Sequence, residues 1–350
     1  MTIGPSVIFQ ILTKRGVYSQ FIFMTKTIKR IAVFTSGGDA PGMNAAIRAV
    51  VRTAIYNDLH VFGVERGYQG MIEGKIRRLE TGDVGNIIQR GGTILKTARS
   101  MEFMTPEGRA KAYDSLLAFD IDACVAIGGN GTFTGAKLFS EEHDIPFIGV
   151  PGTIDNDLYG TDLTIGFDTA INTAMEAADK IRDTAYSHNR LFFVEVMGRH
   201  AGFIALHSAI GSGAGGVMIP ENKYDIDDLV LHLKKSAKRN KPFGIIIVAE
   251  GSKEGGAAEV ARLVAERIDN YDTKVTVIGH LQRGGSPTCI DRVLASRLGY
   301  EAVNALLEGR SNQMVGILNN DLSFTSFNDA ITKEKMVNDS LMKMAQILAL

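Results

Sequence analysis

The chain has no excess of either charge: 38 Lys and Arg against 39 Asp and Glu leave a formal net charge of -1 over 350 residues. It therefore offers neither a basic field for nucleic acid nor an acidic tail, and any anion site must be local. Cysteine is scarce. Cys124 and Cys289 lie far apart, and Cys124 sits in an apolar run as a small buried thiol, which fits a reducing cytoplasm and excludes a disulfide framework. No uninterrupted apolar run reaches the roughly 18 residues of a membrane span. The opening "MTIGPSVIFQILTKRGVYSQFIF" is a poor signal peptide, because Lys14 and Arg15 interrupt it and no small-residue cleavage site follows. The pattern becomes regular after Met24, so translation is expected to start there, with residues 1–28 a leader.

With 45% hydrophobic residues, the chain exceeds the length at which one core stops growing, about 250–300 residues, so two domains are expected. Strand-length apolar runs recur, and each ends in a glycine-rich or polar loop. "RIAVF" precedes "TSGGDAPGMN", "DACVAI" precedes "GGNGT", and "PFIGV" precedes "PGTIDND"; "LFFVEV", "GIIIVAEG" and "KVTVIG" continue the series. Helical segments lie between them, as from Asp168 to Ser187, where Ile171, Ala174, Met175, Ala178 and Ile181 share a face. Continuous apolar strands alternating with amphipathic helices predict an α/β protein with mostly parallel sheets covered on both faces. Ligands of such sheets bind beyond the carboxyl ends of the strands, where every unusual loop falls. There is no periodic repeat and no low-complexity segment; "GSGAGG" (211–216) and "EGGAA" (254–258) read as turns.

The first loop places Gly37 and Gly38 before an Ala-, Val- and Arg-rich helix, so backbone N–H groups and a helix N-terminus can meet a phosphate, although many such turns are only tight turns. Arg48 and Arg52, four apart on that helix, are either solvated or a second anion site. Neither the G-x-x-x-x-G-K-[ST] loop nor the protein-kinase loop set occurs, and "GGDAPG" is not G-x-G-x-x-G. "PGTIDNDLYGTD" carries three acids within eight residues. Asp155 and Asp157, two apart, can face one pocket, one taking a proton from a hydroxyl and the other helping to hold magnesium; turn-forming aspartates are the bland alternative. "VEVMGRHAG" and "GHLQRGGSP" put Arg199, His200, His280 and Arg283 near glycines at strand ends, and the arginine fork suits a phosphate.

In this order and at these separations, "TSGGDAPGMNAAIRAVVR", "RGGTILKTARS", "GGNGT", "PGTIDND", "VEVMGRHAG" and "GHLQRGGSP" resemble the ATP-dependent 6-phosphofructokinases of bacterial type, from about Lys29 to the C-terminus. The resemblance implies a cytoplasmic, allosteric glycolytic kinase: a homotetramer of subunits with two similar three-layer α/β/α domains and the active site in the cleft between them. Residues 29–165 with 279–329 would form the ATP-binding domain, and 166–278 with 330–350 the fructose 6-phosphate-binding domain. It implies transfer of the γ-phosphoryl group of MgATP to the 1-hydroxyl, with Asp155 as base, Thr153 contacting the transferred group and Arg199 stabilising charge. ATP would lie against Gly38, Arg99, Ser100, Gly129, Asn130, Gly131 and Thr132. Fructose 6-phosphate would be held by Thr153, Ile154, Asp155, Met197, Gly198, Arg199, Glu250, His280 and Arg283, with Arg190 and Lys274 from a neighbouring subunit. The effector site would comprise Arg48, Arg52, Arg182, Gly213, Gly215, Arg239 and Lys241.

Pyrophosphate-using relatives resemble "GGDD" and "PKTIDND"; Gly131 and Gly152 stand at those places here and argue for ATP. Three positions depart from the family pattern. Lys274 stands where arginine is usual, Gly215 replaces an acid of the effector loop, and Asn130 stands where a magnesium-binding aspartate is typical. Asn130 keeps a carbonyl oxygen for Mg2+ but gives up one charge, with Asp157 contributing indirectly, so a raised magnesium requirement is expected. "GGNGT" also resembles a loop of NAD and diacylglycerol kinases, which lack the other loops. A kinase of another ketose phosphate, such as sedoheptulose 7-phosphate or tagatose 6-phosphate, remains an alternative. So does a catalytically silent subunit, against which stand Asp155, Thr153 and Arg199.

Overall fold

The computed structural model describes residues 28–188, 190–221, 225–238, 244–268 and 271–349. Residues 1–27 of the leader, Met24 among them, and Arg239 and Lys241 lie outside the described residues. In chain order the elements begin with β1 (Arg30–Thr35), α1 (Met43–Tyr56), β2 (His60–Val64), α2 (Gly67–Ile72), β3 (Ile76–Leu79) and α3 (Pro106–Ala118). They continue with β4 (Ala123–Gly128), α4 (Asn130–His143), β5 (Phe147–Pro151), α5 (Phe167–His188), β6 (Arg190–Val196) and α6 (Phe203–Ser212). Next come β7 (Gly216–Met218), α7 (Ile226–Lys238), β8 (Gly244–Ala249), α8 (Ala257–Ala265), β9 (Asp272–Val277) and a 3-10 turn, Gly279–Arg283. The chain closes with α9 (Cys289–Leu307), β10 (Gln313–Leu318), β11 (Asp321–Ser326), α10 (Phe327–Thr332) and α11 (Asp339–Leu348).

Seven strands form one sheet in the order β11-β10-β5-β4-β1-β2-β3, and four form a second in the order β7-β8-β6-β9. The second is parallel throughout, and the first is parallel except at its edges, where β2 pairs with β3 and β10 with β11 in antiparallel fashion. The mostly parallel α/β class expected from the apolar runs is the class found.

Strand alternation divides the first sheet's side chains between two apolar layers. Ile31, Val33, Val125 and Ile127 pack toward α1 and α9, while Ala32, Phe34, Cys124 and Ala126 pack with Phe133, Phe139 and Phe147 on the other face. Truncating a fully buried ring such as Phe133 costs about 3–5 kcal/mol. The first layer continues through Ala174 and Ala178 of α5 to Val194 of the second sheet and Ile204 of α6, so one apolar body joins the two sheets. The second sheet's other face is closed by Leu229, Val260 and Val264.

Polar contacts fix the junction. Asp291, fully buried at the start of α9, accepts the N–H groups of Gly166 and Thr169 at 2.8 Å and the Thr169 hydroxyl at 2.5 Å, tying α9 to the start of α5. Thr288 caps α9 by accepting the Asp291 N–H and donates to Asp168 Oδ2 at 2.6 Å. The carboxyl ends of β1, β4 and β5 thereby face those of β6, β8 and β9 across a cleft.

Candidate active site

After β5 the chain forms a loop stapled by side-chain bonds of its own and anchored to β10, α4 and Lys335 by others. Asn156, at φ 54°, accepts the Thr164 N–H at 3.0 Å and donates to the Asp162 carbonyl at 3.1 Å, while the Thr164 hydroxyl donates to the Thr153 carbonyl at 2.6 Å. Asp155, 4% exposed, donates its N–H to Thr153 Oγ1 at 3.2 Å, and its Oδ1 has no hydrogen-bond partner among the described residues. Burial raises the carboxyl pKa of Asp155 and nearby Asp157 and Glu250 add to this, against the pull of Arg283 and Arg199. A desolvated carboxylate of this kind accepts a proton more readily than one in water. Ile154 is fully buried in the core, so only its backbone can meet a ligand.

Beside this loop, α4 opens at Asn130 after Gly129, directing its N-terminus into the cleft. A Cβ at Gly131 would meet nothing within 4 Å, which leaves open space there, whereas at Gly152 it would stand 3.0 Å from Ile127 and 3.1 Å from Met43. Packing alone thus favours glycine at 152. Asn130 Nδ2 donates to Asp157 Oδ2 at 3.1 Å, a bond that a carboxylate at 130 could not make. Burial also raises the pKa of Asp157; Arg199, Lys335 and the Asn130 amide oppose it. The Thr132 hydroxyl is already engaged, donating to the Ser36 carbonyl at 3.1 Å and so joining two glycine loops. Ser100 donates to Gln69 Oε1 at 2.8 Å, and Arg99 is exposed.

The opposite wall follows β6. Gly198 has φ 141°, and a Cβ there would lie 2.4 Å from the Ala201 carbonyl oxygen. Arg199 itself has φ 53°, a conformation disfavoured for a residue with a side chain, and it is held there by Glu250. Glu250 Oε1 accepts the N–H groups of Gly198 at 3.2 Å and Arg199 at 2.8 Å. The Arg199 side chain, 59% exposed, brings Nε to 3.8 Å from Asp155 Oδ2, a loose pair worth at most about 1 kcal/mol. Arg283 reaches across the cleft: its Nη1 donates to the Asp39 carbonyl at 3.2 Å and lies 2.6 Å from where a Gly38 Cβ would be. His280 is exposed on the same turn, and Gln282, fully buried, accepts the Met197 N–H at 2.8 Å.

Within one chain the cleft brings together Gly38, Gly129, Asn130, Gly131, Thr153, Asp155, Asp157, Met197, Gly198, Arg199, Glu250 and Arg283. Arg190 and Lys274 stay apart from it. Arg190 begins β6 and Arg199 follows its end, a separation of about 20 Å of strand; Arg190 and Lys274 both pair with Asp272, at 2.8 and 2.7 Å. The effector residues also divide. Arg182 donates to the carbonyls of Ser212 and Gly213, and Gly213 and Gly215 line a cavity of about 260 Å³ with Asp228, His232 and the end of α11. Arg48 and Arg52 lie on α1, which packs on α9 and the first sheet.

Three residues were not singled out from the sequence. Asn156 and Gln282 stand inside quoted motifs, so the motifs themselves carried the signal. Lys335, in the unremarkable "TKEKMVND", had none. Its Nζ donates to the Asp162 carbonyl at 2.9 Å and stands 5.2 Å from the Phe203 ring centroid, and burial pushes its pKa down to about 8 against the pull of Asp162 and Asp157.

A profile described as phosphofructokinase matches residues 30–306. The ATP-dependent 6-phosphofructokinase of Cytophaga hutchinsonii is 56% identical over 92% of this chain and 98% of its own length. The ATP-dependent 6-phosphofructokinase 1 of Thermus thermophilus is 57% identical over 92% of this chain and 100% of its own. Among solved structures, phosphofructokinase from Saccharomyces cerevisiae matches with TM-score 0.83 and 38% identity over 92% of this chain and 48% of that chain, so the chain spans about half its length. A pyrophosphate-dependent phosphofructokinase from Marinobacter aquaeolei shares the fold, with TM-score 0.78 and 24% identity over 89% and 86% of the two chains.

Proposed function

The chain belongs to the phosphofructokinase family and phosphorylates fructose 6-phosphate with ATP; we propose that Asp155 is the base that removes the proton from the 1-hydroxyl. The observation that carries this role is the buried, desolvated Asp155 carboxylate, with an unpartnered Oδ1, facing Arg199 across the cleft. The hydroxyl oxygen bonds to the γ-phosphorus, the bond to the β-bridging oxygen breaks, Asp155 takes the proton, and fructose 1,6-bisphosphate and ADP leave. Arg199 moves onto the charge that spreads over the phosphoryl oxygens, and Thr153 contacts the transferred group.

Residues 29–165 with 279–329 hold ATP, through Gly38, Arg99, Ser100 and the Gly129–Thr132 turn. Residues 166–278 with 330–350 hold the sugar phosphate, through Met197, Gly198, Arg199, Glu250, His280 and Arg283. No three His, Cys, Asp or Glu side chains among the described residues form a metal cage. The donor set nevertheless fits Mg2+ arriving with a nucleotide, which needs one or two carboxylates and completes its shell from phosphate and water. Asp157 would hold it, with the Asn130 carbonyl oxygen after that amide turns. When bound, it neutralises charge on the β- and γ-phosphoryl oxygens.

The exposed edge strand β9, with Val275 and Val277 at the surface, supports a homotetramer in which Arg190 and Lys274 serve a neighbouring cleft. A second copy would likewise join Arg48 and Arg52 to Arg182, Gly213 and Gly215 as the effector site. No helix among the described residues is long and apolar enough to cross a membrane, and a cytoplasmic location is proposed with the glycolytic role. Another ketose phosphate as substrate, or a silent subunit, is not favoured by the relatives' names. A coupled assay with ATP or pyrophosphate as donor and several ketose phosphates as acceptor tests the reading. Turnover is expected with ATP and fructose 6-phosphate; no turnover with any pair would transfer the chain to a binding role.

A further inference from the structure

The chain passes between the two sheets for the last time after α10, which packs on α4, on its way to α11, which packs on α6. Lys335 lies on this crossing, half-buried. Its ammonium donates to the Asp162 carbonyl at 2.9 Å, the same oxygen that accepts the Asn156 amide at 3.1 Å, so both lone pairs of that oxygen are used. Asn156 immediately follows Asp155, and its side chain staples the Asp155 loop. On its other side, Lys335 Nζ stands over the ring of Phe203 at 5.2 Å. Phe203 opens α6 four residues after Arg199, and the Ala201 N–H donates to the Gly198 carbonyl at 2.9 Å, so the turn carrying Arg199 is tied to the start of that helix. One cation thus touches the loop that carries Asp155 and a helix that begins beside Arg199.

We propose that Lys335 is a positioning residue: bonded to the Asp162 carbonyl and seated over Phe203, its ammonium sets the Asp155 loop against the Arg199 turn across the cleft. This rests on the proposed roles of Asp155 and Arg199. Its consequence is specific, because the direct contacts of Lys335 are with the Asp162 carbonyl and the Phe203 ring, neither of which is assigned to nucleotide or sugar, while only its charge reaches Asp157. Losing it misaligns the reacting groups and leaves the binding surfaces in place, so kcat should change more than KM.

Lys335→Met and Lys335→Arg in the full chain separate this from simple space filling. In the ligand-free protein, amide exchange across residues 157–164 should quicken about tenfold in Lys335→Met and stay near wild type in Lys335→Arg. In steady-state assays, kcat should fall about tenfold in Lys335→Met, with KM for both substrates within about twofold, and Lys335→Arg should recover to within about threefold of wild type. Unchanged exchange, a kcat within twofold of wild type in Lys335→Met, or an equal loss in Lys335→Arg would overturn it. If Lys335→Met does not fold, Lys335→Gln, which keeps a donor without the charge, is measured against the same criteria. Absence of turnover in the wild-type chain would sink the kinase reading instead, and the exchange measurement, needing no substrate, would still decide whether Lys335 anchors the loop.

Discussion

On the wall after β5, Asp155 is 4% exposed and its loop is bonded to itself through Asn156, Thr153 and Thr164. On the wall after β6, Arg199 is 59% exposed, and its turn is held by one carboxylate, Glu250, that accepts two N–H groups. The first wall is pre-set, and the second is restrained only at its backbone. A base must be desolvated and fixed before substrate arrives, since its basicity comes from burial. A group that follows developing charge needs a fixed root and a free end. Substitutions on the two walls should therefore fail differently.

The largest effect belongs to the fixed wall. Asp155→Asn should lower kcat by about 10²–10⁴-fold with KM for both substrates little changed, because proton removal is lost and the shape is kept. A loss below tenfold would remove Asp155 from the base role. Arg199→Met, on the free wall, should lower kcat/KM by about 10²-fold and divide that loss between kcat and the KM for fructose 6-phosphate. A pure kcat effect would mean that Arg199 is held as rigidly for the chemical step as Asp155, and the contrast between the walls would fail. Asn130→Asp is a smaller test at the seam. It replaces an amide donor to Asp157 with a third carboxylate beside two whose pKa values are already raised. Half-maximal activity should then need several-fold less free magnesium, on the scale of a partly screened charge contact; coincident magnesium curves would show that position 130 plays no part.

The same division governs what the sequence disclosed. β1, β4, β5 and β8 are covered on both faces, so each appears as an apolar run, as does β6 but for Glu195, and α5 appears through alanines such as Ala174 and Ala178 that face the core. The β10–β11 hairpin escaped notice because its edge strand is half polar and its turn is Asn319-Asn320, at φ 52° and 70°, with no glycine to mark it. β9 was legible as a strand, but its apolar residues gave no warning that Val275 and Val277 would be exposed. In the site, acids and glycines concentrated in short loops showed where ligands meet the chain. The contacts that hold those loops were silent, since the Lys335 to Asp162 bond spans 173 residues and a lysine in a polar stretch carries no mark of its partner.

A fixed, buried carboxylate should also be a burden on stability, and its size is the smallest effect on which the two walls differ. Because the folded-state pKa of Asp155 is raised, the folded protein binds this proton more tightly than the unfolded chain does. The contribution of Asp155 is therefore fully favourable below the ordinary carboxylate pKa and is lost as pH rises through the raised value. Asp155→Asn, which removes the titration, should raise Tm at pH 7 by on the order of a few degrees. That gain should narrow as pH falls through the raised pKa and vanish below the ordinary carboxylate range. Arg199→Met should show no such pH-dependent gain, since its side chain is solvated. A lower Tm for Asp155→Asn at pH 7 would mean that the pull of Arg283 and Arg199 outweighs burial, and that the fixed wall is held by charge across the cleft instead of by its own loop.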